Sequence, residues 1–229
     1  MKRHIDDEIA VLNEKILRMG SLAEEMIHLS IKSITERSEE TTQLVFKREE
    51  EVNSLQMSVD EDCVKLLALY QPEATDLRTI LAFVKINAEL ERVADQAVNI
   101  GQTAFYHLLK EAPLHNLMEI PRMGVIAEQM IREVLNAFAK RDMALAQEVL
   151  KMDNEEDTLK AKALNEIIAI LSKDVNHAKQ LVDLILIAKN LEKIADHATN
   201  IAEDVIFMVM GKDIRHHHLA DASTESKIS

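Results

Sequence analysis

Residues that make turns, cross-links and membrane anchors are scarce in this sequence. Only 4 glycines and 3 prolines occur among 229 residues, and a β-rich fold of this length needs many more, so helices are favoured. The single cysteine, Cys63, has no partner for an internal disulfide, and nothing indicates an oxidising compartment. No apolar run reaches the ~20 residues of a membrane span. The N-terminus lacks the apolar segment of a signal peptide, so a cytoplasmic location is expected.

Aromatic residues and positive charge are also in short supply. Aromatics make up 3% of the chain and tryptophan is absent, so the core must consist mainly of Leu, Ile, Val, Ala and Met. The chain has 40 acidic and 27 basic residues, which gives a net charge of −13. Nucleic acid and anionic lipid attract basic surfaces. We therefore expect no nucleic-acid partner, and a surface that suits cations or basic patches on another protein.

Helical periodicity is the main signal that is present. In the first helix, apolar residues recur in steps of four and three from Ile5 to Met26, the spacing of a helix packed almost parallel to its neighbours. The same reasoning predicts six helices, at about residues 5–34, 42–69, 72–110, 121–139, 144–171 and 174–210. Pro72 suits the first turn of the third helix, and Gly211 suits a left-handed cap that ends the sixth. Residues 215–229 are polar and are expected to form a disordered tail.

Two segments of the first half of the chain return in the second half. The sequence LERVADQAVNI at 90–100 returns as LEKIADHATNI at 191–201, an offset of 101 residues. The sequence MGSLAEEMI at 19–27 returns as MGVIAEQMI at 123–131, an offset of 104 residues. Shared helical composition does not place two ordered matches at nearly one offset. The chain is therefore expected to be all-α, with one three-helix bundle in residues 1–112 and a second in residues 113–214.

Both copies of this repeat carry the pattern Glu-basic-x-x-Asp-x-x-x-Asn in their last helix. The residues are Glu91, Asp95 and Asn99 in the first copy, and Glu192, Asp196 and Asn200 in the second. Side chains four residues apart lie on one helix face with Cβ atoms ~5–6 Å apart, so each pattern is a short ladder of oxygen atoms. Two like charges at this spacing destabilise a helix by roughly a few tenths of a kcal/mol, so a cation should offset them.

The offsetting cation has two interpretations. Arg92 can reach Asp95, and Lys193 can reach Asp196, as ordinary ion pairs between residues three apart. Alternatively, paired carboxylates without cysteine suit a metal ion such as Mg²⁺, Mn²⁺ or iron, with further ligands from neighbouring helices or a bridging anion. We favour the metal, because the same three side chains recur in both copies while several positions around them differ.

Histidines provide weaker metal-ligand candidates. Glu25 and His28 have the spacing of a di-iron ligand pair, but the position equivalent to His28 in the second copy is Arg132, which favours a surface histidine. The three histidines at 216–218 fall in the polar tail and are expected to be solvated.

Three motifs, taken together in this order, resemble one known family. The doubled Glu-Arg/Lys-x-x-Asp-x-x-x-Asn pattern, the segment LYQPEATDLR at 69–78 and the ending GKDIRH at 211–216 are similar to signatures of the PhoU family, the accessory regulators of phosphate-specific transport. The resemblance covers about residues 5–216. It implies two three-helix bundles related by a pseudo-repeat.

The resemblance also implies a function and a ligand set. Family members are cytoplasmic and commonly homodimeric, and they repress the phosphate-starvation response by connecting the phosphate ABC transporter and its ATPase to a sensor histidine kinase. Such a protein meets the membrane only through its partners. Members have been seen with multinuclear metal clusters, iron or zinc among them, at the carboxylate motifs. The ligand role is carried over to Glu91, Asp95, Glu192 and Asp196, and less directly to Asn99 and Asn200.

The sequence departs from the family pattern on its second helix. The family often has an acidic residue where Gln56 stands, and the second copy lacks the Gln-Pro start of its last helix. If second-helix carboxylates complete the metal clusters, the two sites are expected to differ in affinity or in metal. Glu50 and Asp153 occupy comparable places in the two copies and are the weak candidates for that role.

Three functional hypotheses compete at this point. The leading one is a regulator without enzymatic activity that acts through protein contacts, because the sequence has no Gly-rich phosphate loop, catalytic triad or nucleotide motif. The second is a carboxylate-bridged metalloenzyme or a metal-storage bundle, which predicts turnover that depends on Asp95 and Asp196. The third is a helical scaffold without metal.

Overall fold

In the part of the chain that the structure describes, six long α-helices form, as the sequence predicts. A computed structural model describes residues 4–114, 116–173 and 175–214, and none of these residues forms a β-strand. The helices are α1 His4–Thr35, α2 Glu39–Tyr70, α3 Ala74–Tyr106, α4 Ile120–Lys140, α5 Met143–Leu171 and α6 Ala178–Met210. Within the described ranges, no helix combines the length and the apolar character that crossing a membrane requires.

The end of α3 differs from the predicted one. The helix stops at Tyr106 instead of residue 110, and a short 3₁₀ helix, Leu108–Lys110, follows it. Arg37, in the turn between α1 and α2, donates hydrogen bonds to the carbonyl oxygens of Leu108, Leu109 and Glu111 at 3.1, 3.2 and 2.7 Å. Carbonyls beyond the helix end are thus satisfied by a residue that is distant in sequence, which helical periodicity does not reveal.

The starts of α3 and α6 also shift by a few residues. Gln71 has a left-handed backbone, with φ 44°, and ends α2. The residue before a proline is driven out of the right-handed helical region, so α2 cannot continue into Pro72. Helix α3 begins at Ala74 with Glu73 as its N-cap, so Pro72 precedes the helix and does not occupy its first turn as predicted. The sixth helix begins at Ala178 instead of about residue 174. At its other end Gly211 has φ 69°, which confirms the predicted cap. The predicted polar tail, with the histidines at 216–218, lies outside the described residues.

Each copy of the repeat is a three-helix bundle. Helices α1, α2 and α3 pack against one another, and so do α4, α5 and α6. The two bundles meet through α1 with α4 and through α3 with α6, so these four helices form a closed ring with α2 and α5 on its outside. Buried apolar side chains from all six helices form one hydrophobic core. The two copies therefore stabilise each other.

Two glycines allow α1 and α4 to approach closely. A Cβ atom at Gly20 would overlap the side chain of Leu135, and one at Gly124 would lie 2.5 Å from Ile31 Cγ1. Both pairs are related by the offset of 104 residues, so the bundles meet here through equivalent surfaces. The repeat in sequence is thus also a pseudo-twofold relation in the packing.

Candidate functional site

The predicted carboxylates of the first copy lie beside a carboxylate of α2. Glu91 and Asp95 sit one turn apart on α3, and both are partly buried. Burial, together with repulsion from Asp95, raises the pKa of Glu91. Burial, together with the charges of Asp95 and Glu50, raises the pKa of Glu49 on α2. Glu49, Glu91 and Asp95 are therefore electrostatically coupled, and we call them the first carboxylate cluster.

Glu49, and not its neighbour Glu50, joins this cluster. The buried residues Val45 and Val52 define the face of α2 that points to the core; Glu49 lies at the edge of that face, whereas Glu50 is exposed. One step along a helix turns a side chain by about 100° around the axis. The second-helix carboxylate of this copy is thus one residue from the weak sequence candidate. Comparing α2 with α5 at the offset of 104 residues, which relates α1 to α4, would have matched Glu49 with Asp153 and identified Glu49 from the sequence.

The second copy has a larger group of carboxylates in the equivalent place. Burial, followed by the charges of Asp157, Asp196 and Glu192, raises the pKa of Asp153 on α5. Burial, followed by repulsion from Glu192, raises the pKa of Asp196 on α6. The second carboxylate cluster consists of Asp153, Glu156 and Asp157 on α5 and of Glu192 and Asp196 on α6. Asp153 is the α5 residue that the sequence offers as a candidate.

Glu156 is the most buried member of the second cluster. The residue is 1% exposed, and its Oε1 atom has no hydrogen-bond partner among the described residues. Burial, followed by repulsion from Glu192 and Asp157, raises the pKa of Glu156 to about 8. The equivalent residue of the first copy is Val52, which is fully buried. A titratable group therefore replaces an apolar core residue in the second copy.

A lysine enters the second cluster and has no counterpart in the first. The Lys160 ammonium donates a hydrogen bond to Glu192 and forms an ion pair with it. This hydrogen bond raises the pKa of Lys160. The equivalent residue of the first copy is the neutral Gln56. The second cluster thus carries its own counterion, supplied by α5.

Neither ion pair that competes with the metal interpretation is formed. Arg92 pairs with Glu89 at 3.0 Å and not with Asp95. Among the described residues, Lys193 forms no ion pair with Asp196. Ordinary ion pairs within the motifs therefore do not neutralise Asp95 and Asp196.

The two motif asparagines lie in different surroundings. Asn200 Nδ2 donates to Glu89 Oε2 at 3.1 Å across the α3–α6 interface, and His197 Nδ1 lies 2.7 Å from the same oxygen. Burial acts to raise the pKa of Glu89, but these two contacts outweigh it and lower that pKa. Asn99 is exposed and lines a cleft between α3 and α6 together with Lys193. The structure therefore groups the predicted Glu and Asp residues, pairs Asn200 with Glu89 and places Asn99 at the edge of the cleft.

His28 is exposed, as comparison of the two copies predicts. Its Nδ1 atom lies 3.2 Å from Glu128 Oε2 on α4. The equivalent residue, Arg132, pairs with Glu24 and Glu128 at 2.8 and 2.7 Å. These residues connect α1 to α4, and they do not form a ligand pair for iron.

The carboxylates of the two clusters are suitable ligands for a hard cation, but their side chains are not grouped around one point where a cation could bind. Carboxylate oxygens suit magnesium, manganese and iron, and zinc accepts them as well. In the part of the chain that the structure describes, no three Asp, Glu, His or Cys side chains are grouped to hold a metal ion. A cation would therefore require the carboxylates of a cluster to turn toward one another. In the second cluster it would also have to displace Lys160 from Glu192.

The helical architecture and the two carboxylate clusters place this chain in one structural class. It is an all-α protein of two equivalent three-helix bundles, each of which groups carboxylates from its last two helices. The PhoU domain family matches the chain twice, over residues 16–104 and 120–205. The chain belongs to the PhoU family.

Known relatives match the chain over nearly its whole length. A phosphate-specific transport system accessory protein PhoU homolog of Clostridium acetobutylicum is 32% identical over 214 residues, covering 93% of this chain and 97% of the relative. The homolog of that name from Caulobacter vibrioides is 35% identical over 210 residues, covering 91% and 90%. The crystal structure of PhoU from Pseudomonas aeruginosa has a TM-score of 0.87 at 30% identity, covering 91% of this chain and 100% of the other. A phosphate transport system regulatory protein PhoU from Streptococcus pneumoniae, at 22% identity and a TM-score of 0.83 over 92% and 99% of the two chains, supports the fold.

Proposed function

We propose that this chain is a cytoplasmic accessory protein of phosphate-specific transport that represses the phosphate-starvation response. The observation that carries the proposal is the full-length correspondence with relatives of that name, which align over more than nine-tenths of this chain. The family match at each bundle supports a role that uses both copies. The repeated carboxylate clusters give each copy a similar candidate site.

We infer that the protein acts through contacts with the ATPase of the phosphate ABC transporter and with a sensor histidine kinase. The net charge of −13 suits basic patches on such partners. Leu77, Leu81 and Val84 lie on one face of α3 and are each more than a third exposed, which provides an apolar stripe for a protein contact. A homodimer would need a surface of the same kind. The protein would then meet the membrane only through its partners.

Deletion of the gene is expected to activate a phosphate-starvation reporter in high phosphate, because the kinase would no longer be held inactive. The intact gene on a plasmid should restore repression. Deletion of the kinase gene as well should return the reporter to its low level, which separates signalling from an indirect effect of altered uptake. Full repression in the single deletion strain would contradict the proposed function. Continued activation in the double deletion strain would contradict the connection to the kinase.

We propose further that metal ions bind at the two clusters, with iron or zinc favoured, manganese or magnesium as alternatives, and more than one ion in a cluster. The support is the donor chemistry together with the burial and mutual repulsion that raise several carboxylate pKa values; a cation would relieve that repulsion. The proposed ligands on the last helices are Glu91, Asp95, Glu192 and Asp196. The proposed additions from the second helices are Glu49 and Asp153.

Metal content is expected to fall when Glu91→Gln and Asp95→Asn are combined, because the first cluster then keeps one carboxylate. The protein would be purified without a histidine tag or chelator and analysed by plasma mass spectrometry. The wild type should contain at least one iron or zinc per chain. Glu14→Gln, at an exposed carboxylate of α1, is the control and should leave the metal content unchanged.

Two outcomes of this experiment would count against the proposal. Metal content that the double variant leaves unchanged would contradict the assignment of the first cluster. Redox or hydrolytic turnover that Asp95→Ala abolishes would favour the metalloenzyme hypothesis over a regulator without enzymatic activity.

A further inference from the structure

The contact between α3 and α6 has two equivalent ends. The offset of 101 residues relates each end to the other, as at an isologous interface. At one end Lys85 Nζ lies 3.1 Å from Asp204 Oδ1 and 4.8 Å from the centre of the Phe207 ring. The residues equivalent to these three line one cleft at the other end, and they are Leu186, Thr103 and Tyr106. The two ends can therefore be compared position by position.

The first end holds a carboxylate that is surrounded by donors. Glu89 accepts a hydrogen bond from Arg92 at 3.0 Å and one from Asn200 at 3.1 Å. His197 Nδ1 lies 2.7 Å from Glu89 as well. This end of the interface is in effect an anion site whose anion belongs to the protein.

The second end keeps two of these donors and lacks the carboxylate. Asn190 stands in the place of Glu89, so the acidic group is missing. Lys193 stands in the place of the arginine, and Asn99 stands in the place of the asparagine. All three residues of the second end line the cleft, whose volume is about 410 Å³.

The charge of this cleft is the reverse of the charge of the whole chain. Gln102 and Thr103 line the cleft at the positions that Glu203 and Asp204 occupy at the first end, and among the described residues no carboxylate lines it. Lys189 adds a second ammonium one turn from Lys193, where like charges repel.

The two ammonium groups of the cleft lack an acidic partner within the described part of the chain. Neither Lys189 nor Lys193 forms an ion pair there. His107, at the edge of the cleft, is already 2.9 Å from Asp183 Oδ1 and is not counted as a donor. An anion from solution would offset the repulsion between the two lysines.

We propose that this cleft binds a small oxyanion of the phosphate type. The anion occupies the place that corresponds to the Glu89 carboxylate, between the Lys193 ammonium and the Asn99 amide, and Lys189 supplies the second positive charge. Charged N–H groups form the shorter and stronger hydrogen bonds with such anions. Inorganic phosphate and the phosphoryl group of a nucleotide present the same chemistry to these donors. The proposal depends neither on the regulatory role nor on metal binding.

Calorimetric titration of the full chain with inorganic phosphate tests the proposal. EDTA is present throughout, so that phosphate bridging a metal does not contribute, and sodium chloride keeps the ionic strength constant. Lys193→Gln is expected to weaken binding at least tenfold. Asn190→Glu is expected to abolish binding, because it restores the carboxylate that the first end carries. Lys140→Gln, at an exposed lysine of α4, makes the same charge change elsewhere and should bind as the wild type does.

The remaining outcomes each decide the question. Binding of AMP without binding of inorganic phosphate, with the same dependence on Lys193 and Asn190, supports the site and assigns it to a nucleotide. Heats no larger than those of sodium chloride for both ligands overturn the proposal. Equal affinity of the wild type and Asn190→Glu also overturns it. If thermal melting shows that Asn190→Glu does not fold, Lys189→Gln takes its place, and an unchanged affinity in that variant is equally decisive against the site.

Discussion

Glu156→Gln is expected to raise the free energy of unfolding by about 3 kcal/mol more at pH 8 than at pH 5. The carboxyl group of Glu156 is buried at the second cluster, and its pKa is raised to about 8 in the folded protein, against 4.5 for the ordinary group. Glutamine has nearly the same shape as the protonated acid but does not titrate. The variant should therefore resemble the wild type at low pH and exceed it in stability at high pH.

The sign of this effect follows from proton linkage. Between pH 4.5 and pH 8 the folded protein keeps the Glu156 proton, while the unfolded chain releases it. Unfolding is then favoured as the pH rises, so wild-type stability falls through this window. Each pH unit within this window lowers the free energy of unfolding by up to about 1.4 kcal/mol. Above pH 8 both states are ionised, and the penalty stays constant.

Urea unfolding at pH 5 and pH 8 in the presence of EDTA measures this difference. Glu148→Gln removes an exposed carboxylate from the same helix, where it pairs with Lys151. Because exposed ion pairs contribute little, this control should shift the stability by less than about 1 kcal/mol at either pH. Parallel pH profiles for the wild type and Glu156→Gln would show that the carboxyl group is not held in its protonated form.

Gly124→Leu is expected to destabilise the protein by about 3 kcal/mol, the upper part of the range for overpacking a core. Even the first added carbon would lie 2.5 Å from Ile31 Cγ1 and 3.4 Å from Ile31 Cβ. Isoleucine is stiff at χ1, so it cannot swing aside without moving α1. The equivalent change at Gly20 meets the branched tip of Leu135, which moves more readily. Gly124→Leu should therefore separate α1 from α4 more than Gly20→Leu does.

Two further variants test this explanation by urea unfolding. Ile31→Ala makes room for the new side chain, so the double variant should be more stable than the sum of the two single changes implies. Gly101→Ala is the control, because its Cβ would lie 3.4 Å from Thr42 Cγ2, and Ala202 stands at the equivalent position. It should be neutral or stabilise α3 by up to about 1 kcal/mol through helix propensity. Strict additivity of Gly124→Leu and Ile31→Ala would contradict the proposed overlap.

Features that depend on local order along one helix could be predicted from the amino-acid sequence. Apolar periodicity located all six helices, because a helix shows one face every three or four residues whatever it packs against. Self-comparison identified two equivalent bundles and the carboxylate ladders, since Glu91 and Asp95 share a face by spacing alone. Gly211 identified the end of α6, because a left-handed cap is a property of one residue.

The contacts between helix faces could not be predicted in this way, because they depend on how the whole chain packs. The rotation and axial position of α2 and α5 place Glu49 beside Asp95 and Lys160 on Glu192, and those values are fixed by packing of the whole core. The same packing brings the donors around Glu89 together from two copies that lie about a hundred residues apart in sequence. The spacing of residues along one helix gives no information on distances between helices. The residues that join each cluster from a second helix, and the α3–α6 cleft, are therefore identified only in the folded chain.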